Sequence, residues 1–438
     1  MFVNAITSPL ASLLLLVLGS QFMQIFISVA LVHAGFSETA AGFVHSSFYG
    51  GLLVSALYCE GIIHRVGHIR AFTTFACIYT STIIIQAFYV NLELWIVMRF
   101  LAGFALAGLY VTIESWLLTD STELNRGTRL AIYMVTLYIA QSISPQIFNL
   151  IDTKTLQPYL IAALFCAMSS IPVSLTRKLA PVMPERLPLK IPSIYSQSPY
   201  GFIGCAVSGL IISALYSFLP NYALEYGIPV SLIMSVLITG GFLLQWPLGK
   251  LSDKVPRKKM LSILSLICVL PSLLAMMSGS HLLTYVMAFC IGGMSFVLYP
   301  ISIALVCDKV DNRNILQATG VLLFSYSIGS VLGPVIVASI IKAFGSILVI
   351  FAFVACVSGI YGLLGLYQIS LGQKRLSKRH SESVDFIPLP RQSPIANQLD
   401  PRVESEELDL VQDSKNDDNT RPHETDGTQG EDKTTHKS

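Results

Sequence analysis

Three ionisable side chains lie inside long apolar stretches of the sequence: Arg99, Glu114 and His45. A charge at the centre of a membrane costs roughly 2.5–3.5 kcal/mol on insertion scales, so such residues normally face a partner or a cavity on a substrate or ion pathway. Histidine also titrates near neutral pH, which suits a proton relay. For two of them there is also a structural interpretation. Arg99 would extend its side chain to the membrane interface, and His45 would be a neutral, hydrogen-bonded residue between helices.

Arg99 and Glu114 belong to the same apolar stretch but cannot pair with each other. Fifteen residues of helix separate them, or about 22 Å at 1.5 Å per residue. Glu114 lies near the end of the stretch, within reach of Arg65, Arg126 or Arg129. We therefore weigh a structural ion pair for Glu114 against a proton-coupling site.

Polar and aromatic residues recur on single helix faces. At 100° per residue, Leu106 and Tyr110 lie within about 20° of Arg99, and Gly103 lies about 40° away. Such residues either bind a small organic solute or hydrogen-bond neighbouring helices. The other candidates are Gln21, Gln24 and Ser28 in the first apolar stretch, Tyr216, Asn221 and Tyr222 in the seventh, Gln245 and Trp246 in the eighth, and Tyr299 in the tenth.

A short polar loop places one acid, Asp253, among five basic residues. Its carboxylate can cap a nearby helix N-terminus, gaining about 0.3–1 kcal/mol, and a contact that forms and breaks can act as a latch. The alternative is that the basic residues only bind lipid phosphates and fix orientation. A similar loop earlier in the chain contains Arg65 but has His64 in the position of the acid. The basic residues are Lys250, Lys254, Arg257, Lys258 and Lys259.

Composition shows which elements must carry these residues. The chain has 438 residues, 53% of them apolar and only 12% charged, against about 25% charged in soluble domains. A span needs about 20 apolar residues, and twelve such stretches predict an all-α membrane protein with twelve transmembrane helices. The predicted spans are 9–32, 39–60, 71–90, 94–118, 129–150, 158–176, 200–220, 228–248, 260–278, 282–306, 315–341 and 345–371.

The spans divide the chain into two six-helix halves, 1–176 and 200–371, joined by a proline-rich linker at 177–199. A tail at 372–438 contains 24 charged residues and few large apolar ones, which predicts a disordered segment. The eight cysteines include no CxxC pair, so neither disulfides nor a metal site are expected.

Lysine and arginine predict the orientation. Alternate loops on one side contain 15 of them and the tail adds 10, whereas the other loops contain only Lys154 and Lys342. Because positive loops stay in the cytoplasm, both termini are expected there.

The halves also resemble each other. An even number of spans gives both halves the same orientation, so they are predicted to form a parallel repeat. A shift of 189 residues superposes Gly51 on Gly240, Arg65 on Lys254, Gly103 on Gly292, Tyr110 on Tyr299 and Pro145 on Pro334.

The Asp253 loop resembles the G-x-L-x-D-[RK]-x-G-[RK]-[RK] loop of the major facilitator superfamily (MFS), with Pro256 in place of the usual glycine. The resemblance implies that this loop is a gate that holds one access state. The matching residues are Gly249, Asp253, Lys254, Arg257 and Lys258, with Arg65 in the degenerate first-half loop.

Further motifs resemble the same family over residues 1 to about 371. Arg99-x-x-x-Gly103 is similar to its R-x-x-x-G motif, and the stretches 65–72, 108–117 and 243–253 look like its bacterial YcaD-like branch. The resemblance implies the MFS fold, with spans 1, 4, 7 and 10 around a central cavity, and a location in a bacterial inner membrane. It implies no substrate.

These observations predict a secondary transporter that moves a small organic solute by alternating access. Protons are the candidate coupling ion. The alternatives are a proton-coupled efflux pump and a nontransporting membrane receptor or sensor. We expect a lipid-embedded monomer that is not an enzyme and uses no cofactor, metal or nucleic acid.

Overall fold

A computed structural model describes residues 2–118, 123–175, 191–310 and 315–373, all within one structural unit. Twelve helical segments in these ranges are long and apolar enough to cross a membrane, which confirms the predicted number of spans; the sixth, Gln157–Ser174, reaches that length only together with the short helix that follows it. We number these helices α1 to α12. They are Phe2–His33, Glu38–Val66, His68–Phe88, Leu92–Leu118, Glu123–Ile143, Gln157–Met168, Pro199–Glu225, Val230–Lys254, Arg257–Met277, His281–Cys307, Ile315–Phe344 and Val349–Gln373.

Two helices continue in short additional segments. A 3₁₀ helix, Ser144–Leu150, extends α5, because Pro145 has no backbone N–H to donate and the chain tightens there. A short helix, Ser170–Ser174, extends α6 beyond Ser169. Within the predicted linker lies one more helix, Ile191–Gln197. Residues 176–190 of the linker region and 374–438 of the tail lie outside the described residues.

The turns after α2 and α8 occupy equivalent places in the two halves but differ in conformation. Gly67 has a φ of 84°, a value that favours glycine, and its N–H donates to Ile63 O. Pro256, 189 residues later, has a φ of −48°. This difference explains how proline is accommodated where the family loop usually has glycine.

Glycines let α2 approach α4, and α8 approach α10, until backbones touch. At four glycines, an added Cβ would lie closer to a carbonyl oxygen of the facing helix than van der Waals contact allows. Each second-half contact lies 189 residues after its first-half counterpart, which confirms the repeat at this packing interface. The pairs are Gly51 with Phe100, Gly103 with Phe48, Gly240 with Phe289, and Gly292 with Leu237.

Across the boundary between the two halves, α2 packs against α11, α1 against α7, and α5 with its 3₁₀ extension against α8. A group of hydrogen bonds across this boundary lies toward the end of the bundle that carries the loops 34–37, 151–156 and 226–229. We call this end the sealed end. The bonds are Ser46 Oγ to Val331 O (2.6 Å), Gln146 Nε2 to Ser235 Oγ (2.8 Å), Ser235 Oγ to Ser142 O (2.7 Å), Ser231 Oγ to Asn149 Oδ1 (2.8 Å) and Asn221 Nδ2 to Glu38 Oε2 (3.4 Å).

Candidate functional site

A central cavity of about 130 Å³, with an open mouth, lies between the two halves. Small-molecule sites typically measure about 300–1,000 Å³, so in this conformation the cavity is small for such a site. The lining comes from α1, α4, α7 and α10, as the family resemblance implied, and also from α2, α5 and α11. The lining residues are Ser20, Gln21, Gln24, Phe48, Tyr49, Leu52, Ala56, Leu106, Tyr110, Met134, Leu137, Tyr138, Gln141, Ile212, Tyr216, Phe296, Leu323, Tyr326, Ser327 and Ser330.

The cavity occupies the part of the bundle away from the sealed end. Its lining begins at mid-helix residues such as Gln24 and Ser330. From there it continues to Ala56 on α2 and Leu323 on α11, toward the loops that contain the basic residues. The cavity is therefore closed on one side by the contacts between the halves.

Four of the predicted site residues line this cavity: Gln21, Gln24, Tyr110 and Tyr216. Sequence reasoning missed other polar lining residues, including several tyrosines. Their signal was weak, because a tyrosine in an apolar stretch is equally typical of helix packing. The missed polar residues are Ser20, Tyr49, Tyr138, Gln141, Tyr326, Ser327 and Ser330.

Arg99 is wholly buried and lies directly behind the cavity wall. Its Nη2 donates a hydrogen bond to Oε1 of Gln24, and its guanidinium carbon lies 4.3 Å from the centre of the Phe48 ring. Gln24 and Phe48 both line the cavity, but Arg99 itself does not. This burial contradicts the snorkelling alternative and places the charge next to the candidate site.

His45 is also wholly buried and does not line the cavity. Its Nε2 lies 3.1 Å from Oγ of Ser28, and its ring packs edge-on against Phe218 on α7. This hydrogen-bonded position in a helix interface fits the structural alternative for His45.

Glu114 is buried at the opposite end of α4 from Arg99. Its Oε1 accepts a hydrogen bond from the Tyr133 hydroxyl at 2.5 Å. Arg129 is buried nearby on α5, where its Nη1 donates to Leu117 O at 3.0 Å. The side chain of Arg126 lies outside the described residues. An ion pair of Glu114 therefore stays a prediction.

The remaining cavity candidates contact the lining or lie away from it. Tyr299 is buried behind Tyr326, with ring centres 5.0 Å apart. Asn221 bonds to Glu38 at the sealed end. Gln245 accepts a hydrogen bond from the Tyr138 hydroxyl at 2.6 Å, which links α8 to α5. Trp246 is 67% exposed on the outer surface of the bundle.

The basic loop is organised around Arg257. This arginine is buried, and it contacts Asp253 at 3.1 Å and Asp308, after α10, at 3.4 Å. Helix α9 has no side-chain cap, so Asp253 pairs with Arg257 rather than capping that helix. Partial desolvation lowers the pKa of the Lys309 ammonium, and the neighbouring Asp308 carboxylate opposes this shift. Asp308 was missed because it lies 55 residues after Asp253 in the chain, outside the loop motif.

The other residues of the predicted gate surround this ion-pair cluster. Lys258 lies over the Tyr200 ring, with 5.4 Å between its Nζ and the ring centre. Gly249 is buried, whereas Lys254 and the first-half Arg65 are exposed. The second-half loop therefore has an acid–base cluster in which Arg257 is buried and both acids are partly exposed, whereas Arg65 stands at the surface.

Comparison with known protein families gives one clear match. The model of the Major Facilitator Superfamily matches residues 10–243 and 201–399. The uncharacterized MFS-type transporter YcaD of Escherichia fergusonii is 30% identical over 362 residues, which cover 81% of this chain and 93% of the relative.

Solved structures show the same architecture. The nucleoside transporter NupG superposes with a TM-score of 0.70 at 15% identity, covering 84% of this chain and 99% of that one. A bacterial homolog of the human lysosomal transporter Spinster, in an inward-facing and occupied conformation, gives a TM-score of 0.65 at 13% identity, with 85% and 97% covered. At such identities the likeness shows the fold alone.

Proposed function

This chain belongs to the major facilitator superfamily, and on that premise we propose that it is a secondary transporter of a small organic solute that works by alternating access. The observation that carries the proposal is the central cavity, which both six-helix halves line and which the sealed end closes on one side. A site at the boundary between two repeats is the arrangement that alternating access requires.

During the transport cycle, contacts at the sealed end would break while contacts at the opposite end of the cavity would form. With the predicted topology, the sealed end faces the outside and the cavity faces the cytoplasm. Opening outward would break the hydrogen bonds at Ser46, Gln146 and Ser231. The Asp253–Arg257–Asp308 cluster lies at the other end, where it would help to hold or release the cytoplasmic ends of α8 and α10.

A cysteine cross-link at the sealed end tests the proposal. Ser231 Oγ and Asn149 Oδ1 are 2.8 Å apart, so cysteines at both positions should be joined by a short bifunctional thiol reagent. In proteoliposomes the cross-link should lower saturable solute flux about tenfold. If the reagent is attached to the cysteines through disulfide bonds, reducing these bonds should restore the flux. The controls are the two variants that each carry only one of the added cysteines and keep all native cysteines. Solute binding without flux in the uncross-linked protein would favour the receptor alternative.

Reporter fusions test the orientation. A fusion after Gly227 should report the outside and one after Ser377 the cytoplasm, because lysine and arginine are concentrated in the loops predicted to be cytoplasmic. The measurement is the activity of paired reporters that work on opposite sides of the membrane. Two fusions reporting the same side would refute the topology, and with it the inward-facing assignment of the cavity.

Asp253→Asn tests the gate. The change keeps the size of the side chain but removes the charge that faces Arg257, so transport per inserted molecule should fall several-fold while abundance changes little. His64→Asn is the matched control, because His64 is exposed and occupies the equivalent position without an acid. Equal flux in Asp253→Asn and wild type would reject a gating role.

A further inference from the structure

We propose that the central cavity selects an organic anion, an apolar or aromatic molecule that carries a carboxylate, and that Arg99 and Gln24 make this selection. The inference rests on the proposed function in one respect: the bound anion is taken to be the transported solute. It adds the chemical class of that solute.

The first argument is the charge of Arg99. Within the described residues no carboxylate lies within ion-pair distance of its guanidinium. The guanidinium contacts Gln24 and Phe48 and lies near the phenol groups of Tyr49 and Tyr79. A buried charge without a counter-ion is costly in the interior of a protein. An anion in the adjacent cavity would supply the missing charge at the moment of binding.

The second argument is the orientation of the Gln24 amide. A guanidinium has only donors, so the atom it bonds must be Oε1 of Gln24. This fixes the orientation of the amide, so that its Nε2, a hydrogen-bond donor, does not face Arg99. Gln24 is only 6% exposed and lines the cavity, and its Nε2 makes no hydrogen bond of normal geometry, although the Tyr49 phenol lies close to this side chain. Nε2 of Gln21, one turn away on α1, is likewise without a partner. A ligand that satisfies these groups must present acceptors.

The third argument is the rest of the lining. Among the described residues around the cavity there is no aspartate, glutamate, lysine, arginine or histidine. A cationic solute would therefore find no counter-charge and would lie near the unneutralised Arg99. Aromatic side chains such as Tyr110, Tyr216 and Phe296 form much of the wall and suit an apolar or aromatic body.

The test compares three probes with the same ring system and different charge: indole-3-acetate, indole-3-acetamide and tryptamine. Binding to the full-length protein in nanodiscs is measured at pH 7 by equilibrium dialysis, with no ion gradient. We expect the acetate to bind at least about tenfold more tightly than the amide, and tryptamine to bind most weakly. Equal binding of acid and amide, tighter binding of the amine, or no binding of the acid would overturn the inference.

Two variants assign the selection to named residues. Arg99→Gln should bring the ratio of acid to amide affinity close to one, whereas Arg70→Gln, which removes an exposed arginine, should leave it unchanged. Gln24→Glu keeps Arg99 and gives it an internal counter-ion, so the protein should stay folded while the preference for the acid disappears. Gln197→Glu adds the same charge at an exposed position and should have no effect. A preference that survives both cavity variants would contradict the assignment.

Flux measurements separate this inference from the proposed function. Acid-selective binding without uptake of indole-3-acetate into proteoliposomes would refute transport of this anion and leave the anion site in place. Saturable flux of indole-3-acetamide or tryptamine at equal or higher efficiency than the acid would support a transporter and overturn the anion selectivity.

Discussion

Gly51→Ala is expected to destabilise the protein by about 3 kcal/mol or more and to reduce the yield of folded protein. The new methyl group would lie within contact distance of the Phe100 carbonyl oxygen and 2.8 Å from the Phe104 nitrogen. Both atoms are backbone of α4, so no side-chain rotation can relieve the overlap, and the two helices must separate. The melting temperature of the purified protein in detergent measures the effect.

The neighbouring glycine provides the control. A Cβ at Gly50 would lie 3.8 Å from the Phe100 ring, an ordinary contact, so Gly50→Ala should melt close to wild type. Gly240→Ala, in the second-half position equivalent to Gly51, should be destabilised like Gly51→Ala, because its Cβ would overlap the Phe289 backbone. Similar melting of Gly50→Ala and Gly51→Ala would contradict the proposed backbone contact.

The number and order of the spans could be predicted because hydropathy reports how many segments need a lipid environment. The ends of the helices were harder to predict from the sequence. The second span was predicted to end at residue 60, whereas α2 continues to Val66 and ends at Gly67, whose positive φ stops the helix. Hydropathy detects only the apolar part of such a helix, and the last turns lie beyond it.

Helical periodicity places several residues of α4 on one face but does not tell which of them reach the cavity. Arg99, Leu106 and Tyr110 share one helix face, yet only Leu106 and Tyr110 reach the cavity. At the level of Arg99 the wall is closed by Gln24 and Phe48, from two other helices. Helical periodicity fixes which face of a helix a residue occupies. It carries no information on which side chains of neighbouring helices separate a residue from the cavity.

Pairings between distant residues were likewise invisible to the sequence. The seal between Ser46 and Val331 joins residues 285 positions apart, and neither has a distinctive neighbourhood in the chain. Asp308 joins the Asp253 loop only because α8 and α10 end side by side. Such contacts follow from the packing of the two halves, which no local pattern specifies.

Arg99→Ala is expected to lower transport about 100-fold while leaving membrane abundance unchanged. The substitution removes the charge beside the cavity, the hydrogen bond that orients the Gln24 amide and the contact with the Phe48 ring. Insertion should not suffer, because taking a charge out of a transmembrane helix makes insertion easier. Flux in proteoliposomes, normalised to reconstituted protein, measures the first effect, and quantitative immunoblotting of membranes measures the second.

Arg99→Lys separates charge from geometry. A lysine keeps the positive charge, but its compact ammonium cannot both donate to Gln24 and lie flat on Phe48 as the planar guanidinium does. We expect this variant to keep part of the preference for carboxylates in binding and to lose most of the transport rate. The exposed Arg70→Lys is the matched control and should behave as wild type. Wild-type flux in Arg99→Ala would show that neither the charge nor the amide orientation matters for the cycle, because the cavity would then work without both.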